Sequence, residues 1–245
     1  MDPTPPVAIL CGGRGARLQE HTRTIPKPLV EIGGLPILWH VIRLYAHAGL
    51  TEFVLLTGYL GEQIEAFVAG HEWPEGLRIT CVDTGLDTPT GGRLHAAAAQ
   101  LRRDGGTFCA TYADGVADVD LRRLLAFHAG HDGAATMTVV RPELQFGVTE
   151  LDGGDRVTGF REKPRSEHWI NGGFFVFDAS VLDRLEPGHV LEREPLEGLA
   201  ADGQLRAFRH DGFWDCMDTY KDAVLLNDLW ASGAPPWRTW DPARR

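Results

Sequence analysis

Residues 7–17 read Val-Ala-Ile-Leu-Cys-Gly-Gly-Arg-Gly-Ala-Arg, an apolar run that ends abruptly in glycines. Five apolar residues are too few for a helix and enough for a buried strand. Downstream, Pro36 to Ala48 places Ile37, Val41, Leu44, Tyr45 and Ala48 on one face at helical spacing, so the segment reads strand, loop, helix. The same unit recurs. Phe53 to Thr57 predicts a second buried strand, Gly61 to Ala69 a helix, Arg78 to Val82 a third strand, and Gly92 to Arg103 a helix opened by Thr90-Gly91-Gly92. Thr107 to Tyr112, Val119 to Ala129 and Ala135 to Arg141 continue it as strand, helix and strand. Alternation of this kind predicts an α/β fold, a three-layer αβα sandwich on a mostly parallel sheet. Farther on, Gly147 to Leu151 and Arg156 to Phe160 flank Asp152-Gly-Gly-Asp155, which predicts an inserted β-hairpin that makes the sheet mixed. Gly173 to Phe177 reads as a strand, Pro195 to Asp202 as a helix, Leu205 to Arg209 as an edge strand and Thr219 to Ala231 as a closing helix.

A chain of 245 residues with 43% hydrophobic residues can bury one core, and nothing in it reads as a linker. One domain over 1–245 is expected, with 1–6 an N-terminal extension and 233–245 a C-terminal tail. The N-terminus lacks the cationic and apolar regions of a signal peptide, and no stretch approaches the roughly 20 apolar residues of a membrane span, so a cytoplasmic protein is expected. Cys11, Cys81, Cys109 and Cys216 form no C-x-x-C pair and read as reduced thiols. A formal net charge of -10 argues against a nucleic-acid surface. Against that trend, residues 11–28 carry Arg14, Arg17, Arg23 and Lys27 with Glu20 as the one carboxylate. A phosphate ligand would therefore be held locally. Only Lys27, Lys163 and Lys221 are lysines among 24 basic residues, which hints that a compact ammonium is needed at Lys27 and Lys163, both before proline.

The glycines at 12, 13 and 15 allow backbone N–H groups to approach a phosphate chain, with Arg14 and Arg17 adding bidentate contacts. Their spacing is neither the dinucleotide fingerprint nor a Walker loop, and a glycine turn with solvated arginines is the plain alternative. Asp114 follows the strand Thr107 to Tyr112, at the edge where open α/β sheets bind ligands, and reads equally as a metal ligand or as a turn residue in Asp114-Gly115. Asp118 and Asp120 compete with it. Asp218 precedes the last helix and reads first as its N-cap. Glu162-Lys163-Pro164 sets an acceptor beside a cation, and Asn171-Gly172-Gly173 sets an amide before an apolar strand. Each suits a polyhydroxy phosphate or an ordinary surface turn. His128 and His131, at a helix end without further ligands, are expected to be solvated.

In chain order, Gly12-Gly-Arg-Gly-Ala-Arg17, Pro26-Lys27-Pro28, Asp114-Gly115, Glu162-Lys163-Pro164 and Asp218-Thr219 resemble the sugar-1-phosphate nucleotidyltransferase family. Val30 to Gly34, Pro36 to His40, Val82-Asp-Thr-Gly85, Thr90 to Leu94, Asp114 to Asp118, Ile170 to Phe175, Gly212-Phe-Trp214, Met217-Asp-Thr219 and Trp237-Arg-Thr-Trp240 resemble its glucose-1-phosphate cytidylyltransferase branch. The resemblance covers residues 7 to 240 and implies a Rossmann-like fold. It implies that Arg17 and Lys27 contact the triphosphate, that Asp114 and Asp218 hold Mg²⁺, and that Gly12, Gly13, Arg14 and Gly15 with Thr90, Gly91, Gly92 and Arg93 surround the nucleotide. Gly147, Glu162 and Asn171 would line the sugar side, with Lys163 on the sugar phosphate. Arg17, Lys27 and Lys163 would be the catalytic cations, in a homo-oligomer. The chain departs from the pattern at Ala16, at Ala113 and in a short connection from Phe67 to Val82.

The reaction so implied joins CTP to α-D-glucose 1-phosphate, giving CDP-glucose and diphosphate. A sugar 1-phosphate is mostly dianionic at pH 7, its second pKa being about 6, so the attack needs no general base. What it needs is in-line placement of two anions and neutralisation of the leaving diphosphate, which cations supply. The same chemistry with dTTP or UTP, or with another sugar or cyclitol phosphate, fits these residues as well. A catalytically silent nucleotide-sugar-binding paralogue is the reading from another class, opposed by the presence of every charged motif residue. A nicotinamide-dependent dehydrogenase fails on the glycine spacing.

Overall fold

The computed structural model describes residues 4–15, 22, 24–102 and 106–240. Its strands are β1 (Val7–Leu10), β2 (Glu31–Ile32), β3 (Leu35–Pro36), β4 (Glu52–Thr57), β5 (Arg78–Asp83), β6 (Thr107–Tyr112), β7 (Gly115–Ala117), β8 (Ala135–Val140), β9 (Val148–Leu151), β10 (Val157–Arg161), β11 (Ile170–Asp178), β12 (Leu205–His210) and β13 (Trp214–Cys216). The α-helices are α1 (Ile37–His47), α2 (Gly61–Gly70), α3 (Thr90–Ala96), α4 (Ala98–Leu101), α5 (Leu121–Ala129), α6 (Glu194–Ala201) and α7 (Tyr220–Ala231).

Seven strands form the central sheet in the order β12-β8-β11-β6-β1-β4-β5. Neighbours pair in parallel except β11, which runs antiparallel to both β6 and β8. The sheet is mixed, as expected, but β11 is the cause. The predicted hairpin, β9 with β10, stands apart as a two-stranded sheet. Its residues are mostly exposed, with too little apolar surface to enter a sheet covered on both faces.

Successive strand residues point to opposite faces, and both faces of this sheet are covered, which explains the unbroken apolar runs. Val7 and Ile9 pack with Val41 and Tyr45 of α1, Leu124 of α5 and Leu226 of α7. Ala8 and Leu10 pack on the other face with Leu94 of α3, Leu101 of α4 and Leu196 and Leu199 of α6. The helix expected over Gly92 to Arg103 is broken at Ala97 into α3 and α4. Residues 233–240 fold back onto the first layer, where Trp237 is fully buried against His40, Phe213 and Trp230. Between α2 and β5, Trp73 donates its Nε1–H to the carbonyl of Val68, making residues 71–77 a short packed connection. No helix among the described residues is long and apolar enough to cross a membrane.

His128 is a correction. It is buried, not solvated, and forms a chain with Thr136, His131 and Asp178. Burial holds its pKa below the ordinary value, against the pull of Asp178.

Candidate active site at the carboxyl ends of the strands

The glycine loop leaves β1 at the carboxyl edge of the sheet, where parallel strands all present their ends. Its shape comes from below. The carbonyl of Gly12 accepts hydrogen bonds from the Tyr59 N–H at 3.2 Å and from Nη2 of Arg93 at 3.0 Å. A trans peptide places the next N–H opposite that carbonyl. The N–H of Gly13 is thereby turned away from Arg93, on a residue that is itself exposed. Gly15 has φ +60, and a Cβ there would stand 2.9 Å from Cβ of Lys27, so glycine is required on both counts.

Arg93 is 4% exposed. Its Nη1 donates to the carbonyls of Thr57 and Gly85 and to the Thr84 hydroxyl, and its Nη2 to the carbonyls of Gly12 and Leu86. Both terminal nitrogens are thus spent on the loops after β1, β4 and β5. Arg93 joins these loops beneath the site. Its expected partners Gly91 and Gly92 are buried for a related reason: a Cβ would meet the His189 carbonyl oxygen at 2.7 Å or that of Pro187 at 2.0 Å. Arg14 is exposed and pairs with Asp87 at 3.1 Å. Arg17 lies outside the described residues.

Lys27 opens a short 3₁₀ turn between Pro26 and Pro28, whose rings restrict the backbone on both sides of it. Its Nζ donates to Oδ2 of Asp114 at 2.5 Å and to Oδ1 of Asp218 at 2.7 Å. Burial alone would lower the pKa of this amine, but the two carboxylates outweigh it and hold it above the ordinary value. The competing aspartates have other work. Asp120 caps α5 through the N–H of Arg123, and Asp118 faces Nε2 of His210 at 3.0 Å. The cap of α7 is Thr219, closed by Asp222 in a reciprocal capping box, which leaves the Asp218 side chain to face Lys27. Antiparallel pairing of β13 with β7 sets Cys216 opposite Gly115 and so draws Asp218 to Asp114 across 104 positions of sequence.

Glu162 and Gly147 are neighbours, for a Cβ on Gly147 would stand 3.0 Å from Oε2 of Glu162. Lys163, in the left-handed region at φ +45, lines a groove of about 680 Å³ together with Arg165, Lys221, Trp214 and Asp215. Burial pushes the Asp215 carboxyl up to about 6. Asn171 donates from Nδ2 to the hydroxyl oxygen of Tyr112 at 3.1 Å and accepts from the Gly173 N–H at 2.8 Å. Gly173 has φ +80, and a Cβ on it would enter the Tyr112 ring at 2.6 Å. Tyr112 in turn donates to Oε1 of Glu192 at 2.5 Å, and the Thr90 hydroxyl donates to Oε2 at 2.7 Å. Sequence reading missed Tyr112 and Glu192. Tyr112 ends an apolar strand two residues before Asp114, which is the signal that could have found it; Glu192, in a charged stretch, gave none. Among the described residues no group of three or more His, Cys, Asp or Glu is arranged to hold a metal ion.

The sequence model of the family described as Nucleotidyl transferase matches residues 7–215. The chain is 41% identical over 253 residues to a probable glucose-1-phosphate cytidylyltransferase of Bacillus subtilis, covering 95% of this chain and 98% of that protein. It is likewise 41% identical over 255 residues to the glucose-1-phosphate cytidylyltransferase of Salmonella typhi, with the same coverage of 95% and 98%. Among solved structures, HddC from Yersinia pseudotuberculosis superposes with a TM-score of 0.72 at 20% identity, covering 93% of this chain and all of that one, which shows a common fold.

Proposed function

Since the chain belongs to the Nucleotidyl transferase family, we propose that it joins CTP to α-D-glucose 1-phosphate, releasing diphosphate and forming CDP-glucose. One observation carries the reaction class: Lys27, Asp114 and Asp218, far apart in sequence, converge on one point beside a glycine loop with an outward N–H. The identity to two cytidylyltransferases supports cytidine and glucose as the substrates.

Each group has a task set by its chemistry. The Gly13 N–H and its neighbours face the phosphate chain, held in shape by Arg93 from below. Asp114 and Asp218 bring two hard oxygens to one cationic centre, a donor set that suits Mg²⁺, which commonly takes one or two carboxylates and completes its shell with phosphates and water. Bound there, Mg²⁺ would offset the charge of the nucleotide phosphates. Lys27 exchanges its carboxylate partners for oxygens of the departing diphosphate, a charge that Arg17, by the family resemblance, would share. Glu162 and Asn171 receive the sugar hydroxyls, with Gly147 packed against the Phe160 ring beside Glu162, while Lys163 draws the sugar phosphate toward the α-phosphorus. The phosphate oxygen then forms its bond to that phosphorus as the bond to diphosphate breaks, in a single displacement.

Diphosphate release from a panel of CTP, UTP, dTTP and GTP, each with glucose 1-phosphate and with mannose 1-phosphate, tests the proposal. CTP with glucose 1-phosphate is expected to be fastest by at least about tenfold. Preference for another base changes the substrate only. Tight nucleotide-sugar binding without diphosphate from any pair would instead identify a silent binding protein.

A further inference from the structure

Thr90, Glu192, Tyr112 and Asn171 form one continuous hydrogen-bonded chain from the start of α3, beside the nucleotide loops, to the side assigned to sugar. Its direction follows from what each group is able to donate. The two Glu192 oxygens accept, so the hydroxyls of Thr90 and Tyr112 both point their protons at Glu192. The Thr90 oxygen, its proton so committed, accepts from the N–H of Leu191 at 2.9 Å. With its own proton spent in the same way, the Tyr112 oxygen accepts, which draws the Nδ2 end of Asn171 toward it. The Gly173 N–H fixes the opposite end of the amide by donating to Oδ1. One hydrogen on Nδ2 of Asn171 is left, on a half-buried side chain whose orientation is set at both ends.

We propose that Glu192 and Tyr112 are positioning residues that set the direction of this chain, so that Asn171 presents an N–H donor to one hydroxyl of the sugar phosphate and the enzyme thereby discriminates among sugars. The proposal rests on the reading of the protein as a sugar-1-phosphate nucleotidyltransferase. Polarity is what makes the effect specific. A glutamine at 192 is able to donate to the Tyr112 oxygen and turn its proton toward Asn171, where it meets an N–H that is held in place by Gly173. A phenylalanine at 112 keeps the ring that Gly173 accommodates and removes only the acceptor. A site built to pair with a hydroxyl rejects an analogue that lacks it, because its own buried group is then unpartnered.

The test compares kcat/KM for glucose 1-phosphate with that for its 2-, 3-, 4- and 6-deoxy counterparts in the wild type and in Tyr112→Phe, Glu192→Gln and Asn171→Ala. The wild type is expected to disfavour one deoxy compound by about tenfold or more, and Asn171→Ala to erase that preference. Tyr112→Phe and Glu192→Gln are expected to lose most of the same preference, with the KM for CTP changed less than about threefold in Tyr112→Phe. If Glu192→Gln does not fold, Tyr112→Phe decides alone. Retention of the full preference in Tyr112→Phe overturns the proposal even where kcat or thermal stability falls, as does a wild type that treats every deoxy compound alike. A wild type that turns over no sugar 1-phosphate with any triphosphate overturns the underlying reading instead, so the two failures are distinct.

Discussion

The ammonium nitrogen of Lys27 lies 2.5 Å from Oδ2 of Asp114. Two prolines restrict the lysine backbone and the end of β6 holds the aspartate, so the contact is a property of the scaffold. Replacing Lys27 with methionine is expected to lower kcat for diphosphate release about 10²- to 10³-fold, the range seen when one preorganised charge-stabilising donor is removed. Lys27→Arg is expected to recover little, since a planar fork does not fit between two carboxylates shaped around one nitrogen. A loss below tenfold in Lys27→Met would remove this residue from the chemistry.

Asp114→Asn and Asp218→Asn are each expected to abolish turnover while leaving the circular dichroism spectrum and melting temperature close to wild type, because both side chains are partly solvated and neither caps a helix. Chelation with EDTA is expected to do the same reversibly, with activity restored by added Mg²⁺. Near-normal diphosphate release from either variant would end the metal assignment.

Two glycines separate ligand contact from packing. A Cβ on Gly13 meets nothing within 4 Å, whereas one on Gly92 would lie 2.0 Å from the Pro187 carbonyl oxygen. Gly13→Ala is therefore expected to fold with unchanged stability and to raise the KM for the triphosphate. Gly92→Ala is expected to cost about 2–4 kcal/mol in urea unfolding, as strain at a packed backbone does. Equal melting temperatures for the two variants would contradict this.

Arg93 ties three loops together from a buried position, so its removal is expected to act on stability and nucleotide affinity together. Arg93→Met takes a donor from the carbonyls of Gly12 and Thr57, which keep others, and from those of Gly85 and Leu86, and is expected to cost about 2–4 kcal/mol, with the KM for CTP raised and the KM for glucose 1-phosphate little changed. Wild-type stability in this variant, measured by urea unfolding, would refute the scaffold role.

His40 is fully buried among Trp39, Trp230 and Trp237, accepts a hydrogen bond from the Trp237 indole and donates to the Ile32 carbonyl. Burial lowers its pKa to about 4. Above the ordinary value near 6.5 the ring is neutral in both states and its contribution is complete. As pH falls from 6.5 to 4 the unfolded chain takes up a proton that the folded chain refuses, and stability drops by about 3 kcal/mol. Asp215, held up to about 6, binds its proton more readily when folded and so opposes this fall below pH 6. The urea midpoint between pH 7.5 and 4.5 is accordingly expected to fall further in the wild type than in His40→Gln. Parallel curves would show that His40 plays no part.

Much of the architecture was legible because it is written in local patterns. Val7 to Leu10 and Phe53 to Thr57 are buried on both faces and read as apolar runs, and Ile37 to His47 repeats at helical spacing. The role of the β9–β10 hairpin was not legible. Its turn signal predicts a hairpin but carries nothing about which sheet it joins, whereas β11 gained its antiparallel place through pairing with β6 and β8, which are distant in sequence. His128 looked solvated for a similar reason, since its partner Asp178 is 50 residues away.

Within the site, the sequence by itself determined the kinds of groups available: permissive glycines from 12 to 15, an ammonium between prolines at 27, and carboxylates at 114, 162 and 218. It also placed most of them at strand or helix ends, because local chemistry selects turns and caps. Only the tertiary structure decided that Thr219 would cap α7 and so leave Asp218 to face Lys27, that Arg93 would lie beneath the loops, and that Tyr112 and Glu192 would link Thr90 to Asn171. Those assignments depend on which donors and acceptors meet across the fold, and the direction of a buried hydrogen bond is set by its partner, which no single stretch of chain contains.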